Sequence, residues 1–400
     1  PDAAAMMGGG VCWLDADNDG WQDLYVVSTW SDGEHQRWLD EGGLPTSTLY
    51  RNVEGRFVDV GTESGTALQV RGQGCLAADL DGDGHVDLLV TSDRTSTLLW
   101  NDGDGTFTAD DGRAGLHVSG WHAGAAADDI DGDGRLDVVL TGYVDRNTPL
   151  PSASGGFPRS HAPVADLLLH NLGPGEGARA RFVDVSSEAG LDVDGPRYGL
   201  GATFVDVDHD GDRDLLVAND TDPDRLYRND STPGHPRLVD VASAAGVDDD
   251  GSGMGTASGD LDGDGMAELL VTNMGEQRHA LHQPEAADPW AFVDGRATFG
   301  VPAFGEGSAW STSTPTATTT CSSGTVRSRW APIPPRPPSR CWPTRGPPPG
   351  CGWSTAAGGW TPSAATTPGA PRWPTTTTTA IPTSSWSGSA NPWSCSRTRG

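Results

Sequence analysis

One acidic nonapeptide, Asp-x-Asp-x-Asp-Gly-x-x-Asp/Glu, occurs five times in this chain, and a short apolar run follows each copy. The copies are DADNDGWQD from Asp15, DLDGDGHVD from Asp79, DIDGDGRLD from Asp129, DVDHDGDRD from Asp206 and DLDGDGMAE from Asp260. In a tightly coiled loop the carboxylates at positions 1, 3 and 5 point inward, and glycine at position 6 permits the sharp turn. Position 7 offers a backbone carbonyl and position 9 a closing carboxylate. A cage of six to eight hard oxygens is what Ca2+ requires. Asp and Gly also make ordinary turns. However, like charges about 5 Å apart repel by roughly 3 kcal/mol per pair at an effective dielectric of about 20. Such clusters, repeated along one chain, imply a cation that holds them.

The predicted Ca2+ ligands are Asp15, Asp17, Asp19, Asp23 and the carbonyl of Trp21 in the first copy. In the second they are Asp79, Asp81, Asp83, Asp87 and the carbonyl of His85, and in the third Asp129, Asp131, Asp133, Asp137 and the carbonyl of Arg135. The fourth copy supplies Asp206, Asp208, Asp210, Asp214 and the carbonyl of Asp212, and the fifth Asp260, Asp262, Asp264, Glu268 and the carbonyl of Met266. Up to five sites are expected.

An EF-hand opens in the same way but needs a bidentate Glu at position 12 and flanking helices. Position 12 here is Val26, Val90, Leu140, Val217 and Val271. The runs after the loops (DLYVV, DLLVT, DVVLT, DLLVA, ELLVT) have strand length and β-branched character. Each loop therefore joins two strands. Further phrases recur: LYRN, LLWN, LLHN and LYRN ending at Asn52, Asn101, Asn171 and Asn229, then FVDV-like strands from Phe57, Phe107, Phe182, Leu238 and Phe292. Glycine stands five residues ahead of each loop, at Gly10, Gly74, Gly124, Gly201 and Gly255. Successive first aspartates lie 64, 50, 77 and 54 residues apart. Units of four short strands at this period predict an all-β chain of propeller blades.

With these phrases the chain resembles the FG-GAP (VCBS) repeat family, the family of the integrin α head. It is more similar still to the cartilage acidic protein-like, ASPIC/UnbV-associated members. The resemblance covers residues 8 to about 310. It implies a seven-bladed β-propeller with Ca2+ in the hairpin loop between the first two strands of a blade. The family's Gly-Ala-Pro phrase is replaced by Ser28-Thr29, Thr91-Ser92, Thr141-Gly142, Ala218-Asn219 and Thr272-Asn273. That argues against integrin-like ligand binding and leaves the blade fold intact.

Composition breaks after Trp310. All 55 acidic residues lie before it, and the remaining residues carry arginine as their only charged type. As written, 311–400 reads as a disordered Pro/Thr/Ser tail. Read one base earlier, however, Thr codons become Asp, Asn, His or Tyr. Thr312, Thr314, Thr316 and Thr320 then stand where loop aspartates belong, and Ala317 where the glycine belongs. Thr375 opens another such loop. The expectation is a frameshift after Trp310, with blades six and seven out of frame. The domain reading is therefore 1–310 as repeat blades and 311–400 as their displaced continuation. A chain ending at five blades exposes uncovered sheet faces and is expected to aggregate.

A formal charge of −29 and a pI near 4.4 argue against nucleic acid as a partner. No run reaches the length of a membrane span. Ca2+ cages suit an extracellular or cell-surface setting. Cys12 and Cys75 read as small core residues, with no disulfide expected. Two insertions break the period, Trp30 to Ser47 and Tyr143 to Ala165, and Trp30, Trp38 and Tyr143 are candidate stacking residues for a carbohydrate or protein ligand. The leading expectation is a non-enzymatic adhesion or ligand-binding module. The rivals are a propeller-based polysaccharide lyase or hydrolase, for which His117, Trp121 and His122 form the one suggestive cluster, and a scaffold module of a larger surface protein.

Overall fold

The computed structural model describes residues 7–150, 156–175, 177–274 and 277–300, and the backbone of two short strands further on. The chain divides into two compact units, 1–332 and 333–400. The strands of the second unit, Trp353–Ala356 and Gly359–Pro362, pair as an antiparallel hairpin. The other residues after Gly300, including the predicted sixth and seventh loops, lie outside the described residues.

The first unit is all-β. Its described part holds five four-stranded antiparallel sheets, each running in chain order from strand to neighbouring strand. Sheet one is β1 (Val11–Leu14), β2 (Asp23–Val26), β3 (Thr48–Val53) and β4 (Arg56–Asp59). Sheet two is β5 (Gly72–Ala78), β6 (Asp87–Ser92), β7 (Thr97–Asn101) and β8 (Phe107–Ala109). Sheet three is β9 (His122–Asp128), β10 (Asp137–Gly142), β13 (Leu167–Asn171) and β14 (Phe182–Asp184), with the separate hairpin β11 (Val144–Pro149) and β12 (His161–Pro163) inserted. Sheet four is β15 (Gly199–Val205), β16 (Asp214–Asn219), β17 (Arg225–Asn229) and β18 (Leu238–Asp240). Sheet five is β19 (Gly253–Gly259), β20 (Glu268–Asn273), β21 (Ala280–Glu285) and β22 (Asp288–Asp294).

The sheets pack face to face in sequence order, and the period-2 alternation of each strand divides its side chains between two cores. On β6, Leu88 and Val90 join Cys12, Leu14, Tyr25 and Leu49 of sheet one, while Leu89 joins Val138 and Leu140 of sheet three. On β16, Leu215 and Val217 face sheet three, while Leu216 and Ala218 face Leu269 and Val271 of sheet five. This is why β6, β10 and β16 read as continuous apolar runs: both faces are covered. β1 alternates exposed and buried because sheet one has no described neighbour on its other side.

The glycines five residues ahead of the loops let neighbouring first strands meet. A Cβ on Gly10 would lie 3.0 Å from the Cα of Gly74, and one on Gly124 would lie 2.5 Å from the carbonyl oxygen of Leu200. That closeness overturns one expectation. Cys12 on β1 and Cys75 on β5 are joined by a disulfide, with their Cα atoms 6.1 Å apart. The bond links two sheets across 63 residues of sequence, a proximity that local pattern does not encode.

Candidate metal centres

All five nonapeptides form the hairpin loop between the first and second strands of a sheet. Glycine at position 6 is left-handed in every copy, with φ of 88° at Gly20, 92° at Gly84, 89° at Gly134, 99° at Gly211 and 95° at Gly265. Position 4 is left-handed as well (Asn18, Gly82, Gly132, His209, Gly263), which the sequence reading did not single out. Asn and Gly tolerate this region best, and His209 adopts it at some cost.

These two turns coil the backbone around the first carboxylate. Asp15 accepts from the N–H groups of Asp19 (3.0 Å) and Gly20 (2.9 Å), and Asp79, Asp129 and Asp260 accept from the matching loop amides. The position-5 carboxylate accepts from the N–H of position 7: Trp21, His85, Arg135, Asp212 and Met266 donate at 2.8–3.0 Å. Carboxylate oxygens of Asp15, Asp17 and Asp19 converge within 4.8 Å of one another, as do those of Asp129, Asp131 and Asp133, and of Asp206, Asp208 and Asp210. In the second loop the converging set is Asp79, Asp81 and Asp87.

The donor set fits a hard cation. Among the described residues, Asp17 Oδ1, Asp206 Oδ1 and Glu268 Oε1 are buried with no hydrogen-bond partner. A buried oxygen without a partner costs about 1–3 kcal/mol, and a bound cation removes that cost. Arginines compete at three loops, where Arg51 lies 3.2 Å from Asp17, Arg179 lies 4.0 Å from Asp83 and Arg135 pairs with Asp133.

The position-9 carboxylates are almost fully buried and hold the sheet together as well as facing the loop. Asp23 accepts from Ala16 N–H (3.0 Å) and Asn52 N–H (2.7 Å). Asp87, Asp137 and Asp214 repeat this with Leu80 and Asn101, Ile130 and Asn171, and Val207 and Asn229. Burial pushes their metal-free carboxyls upward, Asp87 to about 8, Asp214 to about 7 and Asp137 to about 6. A cation in the loop opposes that shift.

The asparagines that end the third strands are functional residues the sequence reading recorded only as a phrase. Asn101 Nδ2 donates to the carbonyl of Val86 in its own loop (3.1 Å) and to that of Ala16 in the preceding loop (3.0 Å). Asn171 bridges Leu136 and Leu80, and Asn229 bridges Arg213 and Ile130. The first three loops are thereby tied to the next sheet. In sheet five the register puts Pro284 at this place, so no such N–H reaches Glu268, and Oε1 is the oxygen left without a partner.

At the opposite ends of the strands lie the two insertions. The first holds a helix, His35–Asp40, and its Asp32 pairs with Arg71 and, at 2.9 Å, with Arg146 of the second insertion. Arg71 first and Arg146 second hold the Asp32 carboxyl down at about 2. Trp30 and Tyr143, predicted as stacking residues, are buried: Tyr143 packs edge-on against Trp121 and donates to Asp220 at 2.7 Å. Tyr143 also packs against Phe157 of its own insertion, a burial that the sequence pattern could not distinguish from exposure. Trp38 is partly exposed beneath the guanidinium of Arg37. His122 is 1% exposed on β9, neither ring nitrogen has a partner among the described residues, and burial lowers its pKa to about 4.

An FG-GAP-like repeat matches residues 15–90, 79–140 and 206–271. Human cartilage acidic protein 1 is 38% identical over 78 residues, 20% of this chain and 11% of that protein. The mouse protein of the same name is 37% identical over the same share. The chain thus spans about a tenth of the length of the curated relatives it matches. Similar solved structures include the V. cholerae biofilm matrix protein Bap1 (16% identity, TM-score 0.38, 71% of this chain and 38% of that one). An Agrocybe aegerita lectin that recognises non-reducing terminal N-acetylglucosamine (17%, 0.39, 74% and 69%) is another. A third is a Bacillus licheniformis rhamnogalacturonan lyase (13%, 0.38, 72% and 50%). With its loops and strands repeating as they do, the chain carries FG-GAP-like repeats over residues 15–140 and 206–271.

Proposed function

We propose that this chain is an extracellular Ca2+-binding β-propeller that serves as a non-enzymatic adhesion or ligand-binding module for a protein or carbohydrate. The observation that carries the reading is the convergence of loop carboxylates in repeated hairpins, some with buried oxygens that have no partner. Positions 1, 3 and 5 hold the ion, the carbonyl of position 7 and the carboxylate of position 9 complete the shell, and Ca2+ supplies the charge balance that stiffens the loop. The disulfide supports an oxidising, extracellular setting. The joined insertions at the ends opposite the loops form the ligand face, since recognition concentrates in long loops on a rigid scaffold.

Closure into a ring of seven blades is part of the proposal. Val11, Trp13 and Phe57 of sheet one are 48%, 38% and 46% exposed, an apolar face of the kind another blade covers. On this reading two further blades are encoded in the alternative frame of 311–400, and resequencing the coding DNA around the Trp310 codon tests that directly. The test of the main reading is thermal unfolding in Ca2+ and in chelator. At 100 times Kd each filled site adds about 2.7 kcal/mol. An unchanged melting temperature refutes the reading.

A further inference from the structure

The third loop differs from the others in what the third strand of its sheet sets beside it. The residue ahead of the asparagine at the end of the third strand is Arg51, Trp100 and Arg228 in three copies, and Gln283 stands at the matching place in the fifth. In the third copy it is His170, whose side chain is 6% exposed.

Its ring is oriented at both nitrogens. Nδ1 lies 2.9 Å from Oδ1 of Asp137, and Nε2 lies 3.8 Å from Oδ2 of Asp131. A carboxylate on Nδ1 takes its N–H and leaves the lone pair on Nε2, the arrangement by which a second-sphere acid orients a ligating histidine. The Nε2–Oδ2 separation is too long for a hydrogen bond. Two metal–ligand bonds of about 2.0–2.2 Å each span it. Gly234 N–H, from the outer hairpin of sheet four, fixes the same Asp131 oxygen at 2.7 Å. The three side chains are buried and present ligand atoms within 4.8 Å of one another. His170 also forms part of the wall of a cleft of about 780 Å³, together with Asp194, Asp230, His235 and Asp240.

Imidazole nitrogen in a carboxylate set favours a borderline transition metal over Ca2+, which takes oxygen. We propose that the third loop is a mixed nitrogen–oxygen site for a divalent transition metal, Zn2+ foremost, with Nε2 of His170 and Asp131 as ligands and Asp137 as the positioning residue. This rests on the reading of the loops as cation sites and assigns one of them a different metal.

The test uses the full chain, stripped with chelator and dialysed against excess Ca2+ with limiting Zn2+, followed by elemental analysis of both metals. Wild type is expected to retain one Zn2+ that His170→Arg, His170→Ala and His170→Gln lose, while Ca2+ bound elsewhere is unchanged. Cadmium-113 NMR of the wild type, which needs no variant to fold, is expected to show one resonance downfield of the all-oxygen sites. Equal Zn2+ in wild type and variants, or only all-oxygen cadmium resonances, overturns the proposal. Ca2+ bound by no form refutes the loop reading instead, and His170-dependent Zn2+ in the same sample keeps this inference standing.

Discussion

Removal of one bridging asparagine measures how strongly adjacent sheets are tied. In Asn171→Ala, the Leu80 and Leu136 carbonyls lose donors at 3.0 and 3.1 Å, and Gly173 N–H loses its acceptor at 2.9 Å. Each buried group left unpaired costs about 1–3 kcal/mol. Carbonyls keep a second lone pair, so the low end applies, and the three together come to about 3 kcal/mol. Asn52→Ala is the internal control. Asn52 is half-buried and bonds only its own sheet, to Gln22 O and Gly55 N–H. Water replaces those partners, and the cost is about 1 kcal/mol. The expected gap of about 2 kcal/mol is a factor of roughly 30 in the unfolding equilibrium, read from urea transitions in excess Ca2+ with m held constant. Asn101→Ala and Asn229→Ala, which have the same cross-sheet bonds, should fall with Asn171→Ala. If Asn52→Ala costs as much as the other three, the cross-sheet bond contributes nothing and the reasoning fails.

Three other outcomes are expected. Cys75→Ser releases a 63-residue loop in the unfolded chain and lowers stability by about 4 kcal/mol; a midpoint in urea that matches wild type would show that the disulfide constrains nothing. His122 is held neutral, with a folded pKa of about 4 against 6.5 unfolded, so its contribution is complete above pH 6.5 and is lost as pH falls toward 4. His122→Met should therefore flatten the acid limb of stability against pH by up to about 3 kcal/mol, and parallel limbs would refute this. The chain as written should self-associate through the sheet-one face, with Trp13→Glu/Phe57→Lys shifting it to smaller species in size-exclusion chromatography; a wild-type monomer in Ca2+ rules that out.

Much of the local structure was legible in the sequence. Spacing alone placed each loop between two strands, because glycine at position 6 and the apolar run after position 9 are local devices whose physics acts within a few residues. The period of the phrases likewise gave units of four strands. The tertiary structure decided what lies across the sheets. The Cys12–Cys75 bond, the Asn171–Leu80 bridge and the place of His170 beside Asp131 join residues tens of positions apart. Burial of Trp30 and Tyr143 depends in the same way on how the insertions fold back. Hydrophobic period fixes which way a side chain points along its own strand, but what it meets there is set by packing against the next sheet. The sequence therefore determined the repeat and its acidic loops, and only the stacking of sheets decided how those loops are joined and which of them has a histidine beside its carboxylates.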